Sequence, residues 1–291
     1  MEAPAPARVV AGFAAIYLVW GSTFLAIAWA VETIPPFSMM AIRCLLGGSI
    51  LFLFARALPS ARQWAGALVV GAFLFVGCHG LLAVAEQDVP SGMAALCLAT
   101  IPLMVPLLLW AAGQSGPPST RLALALLAGF GGVALLVVSQ GDVVGLSAGQ
   151  AALLLFTAFG WAAGTVATRL VPVPASPTVA AASALIAGGL LLVIVAIGAG
   201  ERIDTGAVSG RSLFGLLYLV VMGTVVTFSA YMWLLRVQPP SRVATYAFVN
   251  PATAVLLGWS LAGETLTAGT LVATAVIIAA VAVAVSDRQK G

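Results

Sequence analysis

The residue types that most often carry chemistry are rare in this sequence of 291 residues. It contains three cysteines, one histidine, His79, and one lysine, Lys290, which lies close to the last residue. An ATP-binding phosphate loop needs a lysine in its motif, and a structural zinc site needs about four cysteine or histidine ligands. The sequence therefore predicts no ATP site, no metal site and no other cofactor.

One segment matches a catalytic motif by its letters alone. Residues 145–149, GLSAG, fit the G-x-S-x-G pattern of serine hydrolases. That pattern needs a strand before the serine and a histidine and an acid beside it. Here the segment lies between two apolar runs, and we interpret Ser147 as the N-cap of a helix. We therefore expect that the protein is not an enzyme.

Polar side chains inside apolar runs are the remaining candidates, because they are costly in hydrocarbon and tend to line a solute pathway or bond a neighbouring helix. His79 lies in VGCHGLLAVAE (76–86), about 9 Å before the end of its run at 1.5 Å per residue. Its ring either bonds a neighbouring helix or faces a watered cavity and bonds a substrate, and we favour the cavity. The other candidate substrate-binding residues are Tyr17, Trp20, Ser22, Thr100, Trp161, Thr165, Tyr231, Tyr246 and Asn250. Indole, phenol, hydroxyl and amide groups would together suit an amphiphilic, partly aromatic solute.

Arg43 is the one basic residue deep in an apolar run, about seven residues from its start. A guanidinium without a partner would be costly there. We predict that it pairs with Glu264 or Glu32, two acids at the outer ends of runs, as a structural or gating ion pair. Binding of a substrate carboxylate by Arg43 is the alternative.

The elements that position these residues follow from composition. The chain is 62% hydrophobic and 7% charged, whereas soluble domains are about 25% charged. Continuous apolar runs of roughly 20 residues predict an all-α integral membrane protein, since a barrel would alternate in polarity. The ten predicted transmembrane helices are 9–31, 36–56, 64–85, 91–112, 120–139, 147–169, 177–199, 212–235, 241–262 and 267–286.

The basic residues give the orientation of these helices. With the N-terminus inside, most of the 12 basic residues fall in inner loops and tails, and only Arg202 and Arg211 fall outside. The positive-inside rule then places both termini in the cytoplasm. The net charge of +3 thus reflects topology and contact with anionic lipid, and we expect no nucleic-acid partner.

The two halves of the chain share motifs at matching positions. Pro90-Ser91 opens the fourth run and Pro240-Ser241 opens the ninth. We interpret residues 1–142 and 143–291 as two five-helix repeats of one membrane domain. Because five is an odd number, the second repeat is inverted in the membrane, an arrangement typical of secondary transporters.

The second half also resembles the second EamA repeat of the drug/metabolite transporter superfamily. The matching residues there are Tyr231, Pro240-Ser241, Tyr246, Pro251 and Gly263-Glu264; in the first half they are Trp20-Gly21-Ser22, Pro36, Arg43, Pro90-Ser91 and Pro102. Within the superfamily the chain is most similar to bacterial amino-acid exporters of the YddG type. The resemblance implies a ten-helix basket with a central cavity lined by both repeats.

The expectation is a facilitative secondary transporter of the bacterial inner membrane. It would export neutral and aromatic amino acids, or similar small amphiphilic metabolites, by alternating access within the lipid bilayer. Proton-driven carriers usually place a carboxylate in the pathway, and here the acids lie at or beyond the ends of the runs. The alternatives are a proton-coupled drug or metabolite efflux carrier and a channel or non-transporting scaffold. The sequence indicates no particular oligomeric state.

Overall fold

The computed structural model describes residues 6–55, 57–138, 146–238, 243 and 246–287. The regular structure of these residues is helical, and none of them forms a strand. Seven of the described helices are long and apolar enough to cross a membrane. The prediction of an all-helical membrane protein is confirmed.

The helices are numbered in chain order. The seven long ones are α1 (Pro6–Ala30), α2 (Pro36–Leu53), α3 (Ala61–Ala85), α4 (Ser91–Ala111), α6 (Ala148–Leu170), α7 (Pro177–Gly198) and α8, which begins as Gly210–Tyr231 and continues to Val237. The other three are α5 (Thr120–Val138), α9 (Tyr246–Ala262) and α10 (Ala268–Asp287), whose apolar stretches are shorter. Crossing of the membrane by these three stays a prediction.

The chain divides into two compact units. Unit 1 comprises Met1–Leu25, Val89–Leu155 and Val226–Gly291, and unit 2 comprises Ala26–Asp88 and Phe156–Val225. Within unit 1, α4 packs on α9 and α5 on α10, and within unit 2 both α2 and α3 pack on α7. The predicted repeat boundary at residues 142 and 143 lies outside the described residues, as does the Pro240-Ser241 motif. The two-repeat organisation therefore stays a prediction.

Glycines allow close helix contacts in unit 2. A Cβ atom built on Gly160 of α6 would lie 2.8 Å from the carbonyl carbon and oxygen of Gly77 in α3. One built on Gly164, a turn further along α6, would lie 2.5 Å from a methyl carbon of Leu74. The GxxxG pair in the sequence is thus a helix-packing face, as such motifs usually are.

Within the described part of the chain, three helices contain π-helical segments, in which each turn is wider than an α-turn. They are Ala15–Val19 in α1, Ala72–Gly80 in α3 and Leu219–Val226 in α8. In the segment of α8, the Thr224 hydroxyl donates to the Leu219 carbonyl, five residues earlier, at 2.9 Å. The side chain of Asn250 contacts carbonyl groups of the segment in α1, and that of His79 contacts a carbonyl group of the segment in α3. Both contacts belong to the candidate site.

Two carboxylates cap the first turn of a neighbouring helix. Gly200 and Gly263 follow α7 and α9 with φ of 69° and 68°, the left-handed conformation that glycine adopts readily after a helix. The next residue is a glutamate in each case. Glu264 accepts hydrogen bonds from the Ser91 amide and hydroxyl of α4, at 2.7 and 2.6 Å, and from the Gly92 amide at 3.0 Å.

Glu201 does the same in unit 2. It accepts from the Phe37 amide of α2 at 3.1 Å and from the Ser38 amide and hydroxyl, both at 2.7 Å. The first amides of a helix have no partner within the helix and carry a partial positive charge. Each glutamate therefore satisfies donors that the helix itself leaves open.

Candidate functional site

An aromatic cluster in unit 1 brings together three predicted site residues from three helices. The ring of Trp20 in α1 lies 5.3 Å from that of Tyr231 in α8 and 5.1 Å from that of Tyr246 in α9, measured between ring centroids. The two tyrosine rings are 6.1 Å apart at 87°. All three side chains are partly exposed. They therefore form an aromatic wall with phenol groups, which can stack on an apolar solute and bond its polar groups.

Asn250 of α9 holds this wall in position. When its side-chain amide is oriented with the nitrogen toward α1, this nitrogen lies 3.1 Å from the Ile16 carbonyl oxygen and 3.2 Å from the Tyr17 carbonyl oxygen, both in the π-helical segment of α1. The same nitrogen lies 3.2 Å from the Tyr246 carbonyl oxygen. Since Trp20 directly follows the π-helical segment, this contact fixes the part of α1 from which the indole projects.

A second cluster in unit 2 is built around the histidine. The imidazole of His79 lies 5.1 Å from the indole of Trp161 in α6, at 68°, and stacks on Phe75 at 5.6 Å and 25°. Its Nδ1 atom lies 2.9 Å from the Leu74 carbonyl oxygen, within the π-helical segment of α3. The side chain of His79 is partly exposed. The structure thus joins the two predicted site residues His79 and Trp161 and adds Phe75.

The hydroxyl groups among the predicted site residues bond their own helices. Ser22 donates to the Val19 carbonyl at 2.8 Å, Thr100 to that of Cys97 at 2.7 Å, and Thr165 to that of Trp161 at 2.9 Å. Such bonds are typical of serine and threonine in helices. Thr100 is fully buried and Thr165 is exposed. Their role in substrate binding stays a proposal.

The pairing of Arg43 with Glu264 or Glu32 stays a prediction, and the described contacts of these three residues are with other groups. Arg43 is 8% exposed and donates from Nε to the Thr224 hydroxyl at 3.3 Å. Glu32 instead contacts Arg211 at 3.1 Å, in an ion pair whose side chains are 40% and 50% exposed. Glu264 caps α4. Each carboxylate meets donors close to the end of its own helix, whereas Arg43 projects from the interior of α2.

Sequence reasoning missed three residues of these arrangements. Phe75 is one of many apolar residues in its run and does not stand out by type. Its four-residue spacing from His79 is nevertheless a signal that the two side chains share a helix face. Thr224 has no sequence signal that distinguishes it from other threonines. Glu201 directly follows Gly200, as Glu264 directly follows Gly263, and this shared pattern is a signal in the sequence.

Nearly the whole chain resembles known proteins. Residues 8–138 and 150–286 match the EamA-like transporter family. Over 273 residues the chain is 35% identical to the "uncharacterized inner membrane transporter YedA" of Escherichia coli K12, covering 92% of this chain and 87% of that protein. It is 28% identical to protein PecM of Dickeya dadantii, over 90% and 87% of the two chains. A crystal structure with 22% sequence identity and a TM-score of 0.63 covers 96% of this chain and 97% of its own, and shows the same fold.

Proposed function

Because the chain belongs to the EamA-like transporter family, we propose that it is a facilitative carrier of the bacterial inner membrane. Its cargo is neutral and aromatic amino acids, as in exporters of the YddG type, or similar small amphiphilic metabolites, which it exports by alternating access. The name of the E. coli relative as an inner membrane transporter supports the location. The predicted topology, ten helices in two inverted repeats with both termini in the cytoplasm, is part of this proposal.

The observation that carries the choice of cargo is the aromatic wall of unit 1. Trp20, Tyr231 and Tyr246 are partly exposed although each lies in an apolar helix. Aromatic pairs stabilise by about 0.5–1.5 kcal/mol beyond burial of their area, so an aromatic side chain gains from contact with these rings. The two phenol groups can donate to or accept from the polar end of the same solute.

Three of the glutamates support transport without proton coupling. A carboxylate that carries protons must exchange its partners during the cycle. Glu264 and Glu201 each accept three hydrogen bonds from a helix N-terminus, and Glu32 pairs with Arg211. These groups have structural partners, which favours movement of the solute down its own gradient.

Proton-coupled efflux is the second candidate, and one residue favours it. Glu86 follows α3 and is 4% exposed. A buried carboxylate at the end of a membrane helix is the type of group that proton-driven carriers use.

The test is efflux from liposomes that contain the purified protein. We expect efflux of preloaded labelled phenylalanine at the same rate with and without a pH gradient, because a uniporter follows only the solute gradient. Threonine and a bulky organic cation serve as competing cargoes in parallel liposomes. Efflux that requires the pH gradient, and that Glu86→Gln abolishes, would establish the proton-coupled candidate. If only the cation leaves the liposomes, the proposed cargo is wrong and the protein is a drug carrier.

Replacing Trp20 by alanine is expected to lower phenylalanine efflux, expressed as kcat/KM, about tenfold, because the substrate loses its largest stacking partner, worth about 1.4 kcal/mol. Trp20→Phe keeps a ring and is expected to lose less. Trp110→Ala is the matched control, since this indole is 49% exposed at the end of α4. Equal losses for Trp20→Ala and Trp110→Ala would remove the aromatic wall from the substrate site.

A further inference from the structure

The second cluster indicates which end of the substrate it binds. We infer that His79 accepts a hydrogen bond from the substrate's ammonium group through Nε2, and that Phe75 and Trp161 form the aromatic walls of this subsite. The inference rests on the proposed function, because it assigns a part of the amino-acid cargo to one cluster. It extends the earlier expectation, in which His79 bonds a polar group of unspecified kind.

The backbone fixes the tautomer of the ring. The Nδ1 atom lies 2.9 Å from the Leu74 carbonyl oxygen, and a carbonyl oxygen can only accept. Nδ1 must therefore carry the hydrogen. In a neutral imidazole the other nitrogen is then an acceptor without a hydrogen. His79 can thus receive a hydrogen bond at Nε2 but cannot donate one there.

Two aromatic rings flank the imidazole. Phe75 stacks on the imidazole with 5.6 Å between centroids, and Trp161 stands at 68° to it with 5.1 Å between centroids. The faces of aromatic rings carry partial negative charge and attract an ammonium group within about 6 Å. A hydrogen bond to the Nε2 lone pair needs a hydrogen from the substrate, and the ammonium group of an amino acid supplies one. An ionised carboxylate has no hydrogen to donate to this lone pair.

The helix packing holds this subsite rigid. Gly160, the residue before Trp161, lies against the Gly77 backbone of α3, where an added Cβ atom would be 2.8 Å from the Gly77 carbonyl. Gly164 is similarly close to the side chain of Leu74, the residue whose carbonyl orients the imidazole. The indole and the carbonyl that define the subsite are therefore positioned by the same contact between α3 and α6.

The first test compares three solutes that share a phenyl group. Phenylalanine and phenethylamine carry an ammonium group, and 3-phenylpropionate does not. We expect His79→Ala to lower kcat/KM for the two amines about tenfold to a hundredfold, as for loss of a hydrogen bond to a charged group, and to leave 3-phenylpropionate within about twofold. His79→Gln keeps an acceptor oxygen and is expected to restore part of the amine transport, whereas His79→Phe keeps only the ring and is not.

The second test uses the fact that His79 is the only histidine. Protein labelled with ¹⁵N-histidine gives ring signals from one residue, so the two nitrogens can be assigned without ambiguity. We expect one protonated and one unprotonated nitrogen. Phenethylamine is expected to shift the unprotonated signal, and 3-phenylpropionate is not. Two protonated nitrogens would overturn the inference, because such a ring could only donate.

The outcomes separate this inference from the proposed function. If the wild-type protein transports none of the three solutes, the proposed function is wrong, and the NMR titration with phenethylamine still decides the role of Nε2. If all three are transported and His79→Ala affects them equally, the protein is a carrier of such solutes but His79 does not select the ammonium group. Loss confined to 3-phenylpropionate would assign the carboxylate to this cluster instead.

Discussion

Replacing Glu264 by alanine is expected to destabilise the protein by about 3 kcal/mol or more, because hydrogen bonds to charged groups contribute about 1.5–3 kcal/mol each. The variant leaves the Ser91 and Gly92 amides and the Ser91 hydroxyl without the acceptor that they contact at 2.6 to 3.0 Å. These donors lie at the positive end of α4, where loss of a negative charge is also unfavourable. The measurement is the midpoint temperature of unfolding in detergent, followed by phenylalanine efflux from liposomes.

Two further variants make this prediction specific. Glu264→Gln keeps an acceptor oxygen but removes the charge, and its loss of stability is expected to be intermediate. Glu32→Gln is the control, since its ion pair with Arg211 is 40% and 50% exposed and such pairs contribute about 0–1 kcal/mol. If Glu264→Ala unfolds at the same temperature as Glu32→Gln, the cap does not stabilise α4.

Replacing Gly160 by alanine is expected to have the other large effect. The added Cβ atom would meet the Gly77 carbonyl at 2.8 Å, and a backbone carbonyl cannot move aside as a flexible side chain can. Overpacking of this kind costs about 1–3 kcal/mol. Because Trp161 follows directly, separation of α6 from α3 also displaces the indole from His79. We expect lower thermal stability together with lower amine transport.

Gly131→Ala is the matched control for that change. Gly131 lies within α5, and an added Cβ there would have no atom of a neighbouring element within 4 Å. Alanine in a helix interior is favoured over glycine by about 0.5–1 kcal/mol, so this variant is expected to be slightly more stable. A Gly160→Ala protein that gains stability as Gly131→Ala does would show that α3 and α6 do not depend on the close contact.

The course of the helices could be predicted from the sequence because hydrocarbon imposes a simple requirement. A helix that crosses about 30 Å of apolar medium needs about 20 apolar residues, and the runs that begin at Pro36 and Pro177 start their helices at these residues. The packing role of Gly160 and Gly164 could also be predicted, because a small residue on each turn of one helix face allows a second helix to approach closely. These features depend on residues near one another in the chain.

Partners in distant parts of the chain could not be predicted in the same way. Arg43 and Thr224 are 181 residues apart, and nothing in either residue type specifies the register of α2 against α8. The π-helical segments could not be predicted from the sequence either, because π-turns and α-turns of apolar residues have the same composition. In the candidate site, Trp20, Tyr231 and Tyr246 could be predicted as site residues from their types. Their contact in one cluster could not, because it depends on the packing of three helices.

The π-helical segment of α3 makes the direction of His79 depend on the width of its turns. A π-turn holds about one residue more than an α-turn, and each residue of an α-helix turns the chain by about 100°. Closing one wide turn of this segment to a normal turn without removing a residue would therefore rotate the imidazole by about that angle about the helix axis. Removing one residue at the same time would leave the imidazole in place, so a relative with one residue fewer and normal turns would keep the same face of α3 toward Trp161. What such a carrier presents to its substrate here thus depends on the residue number and the turn width together.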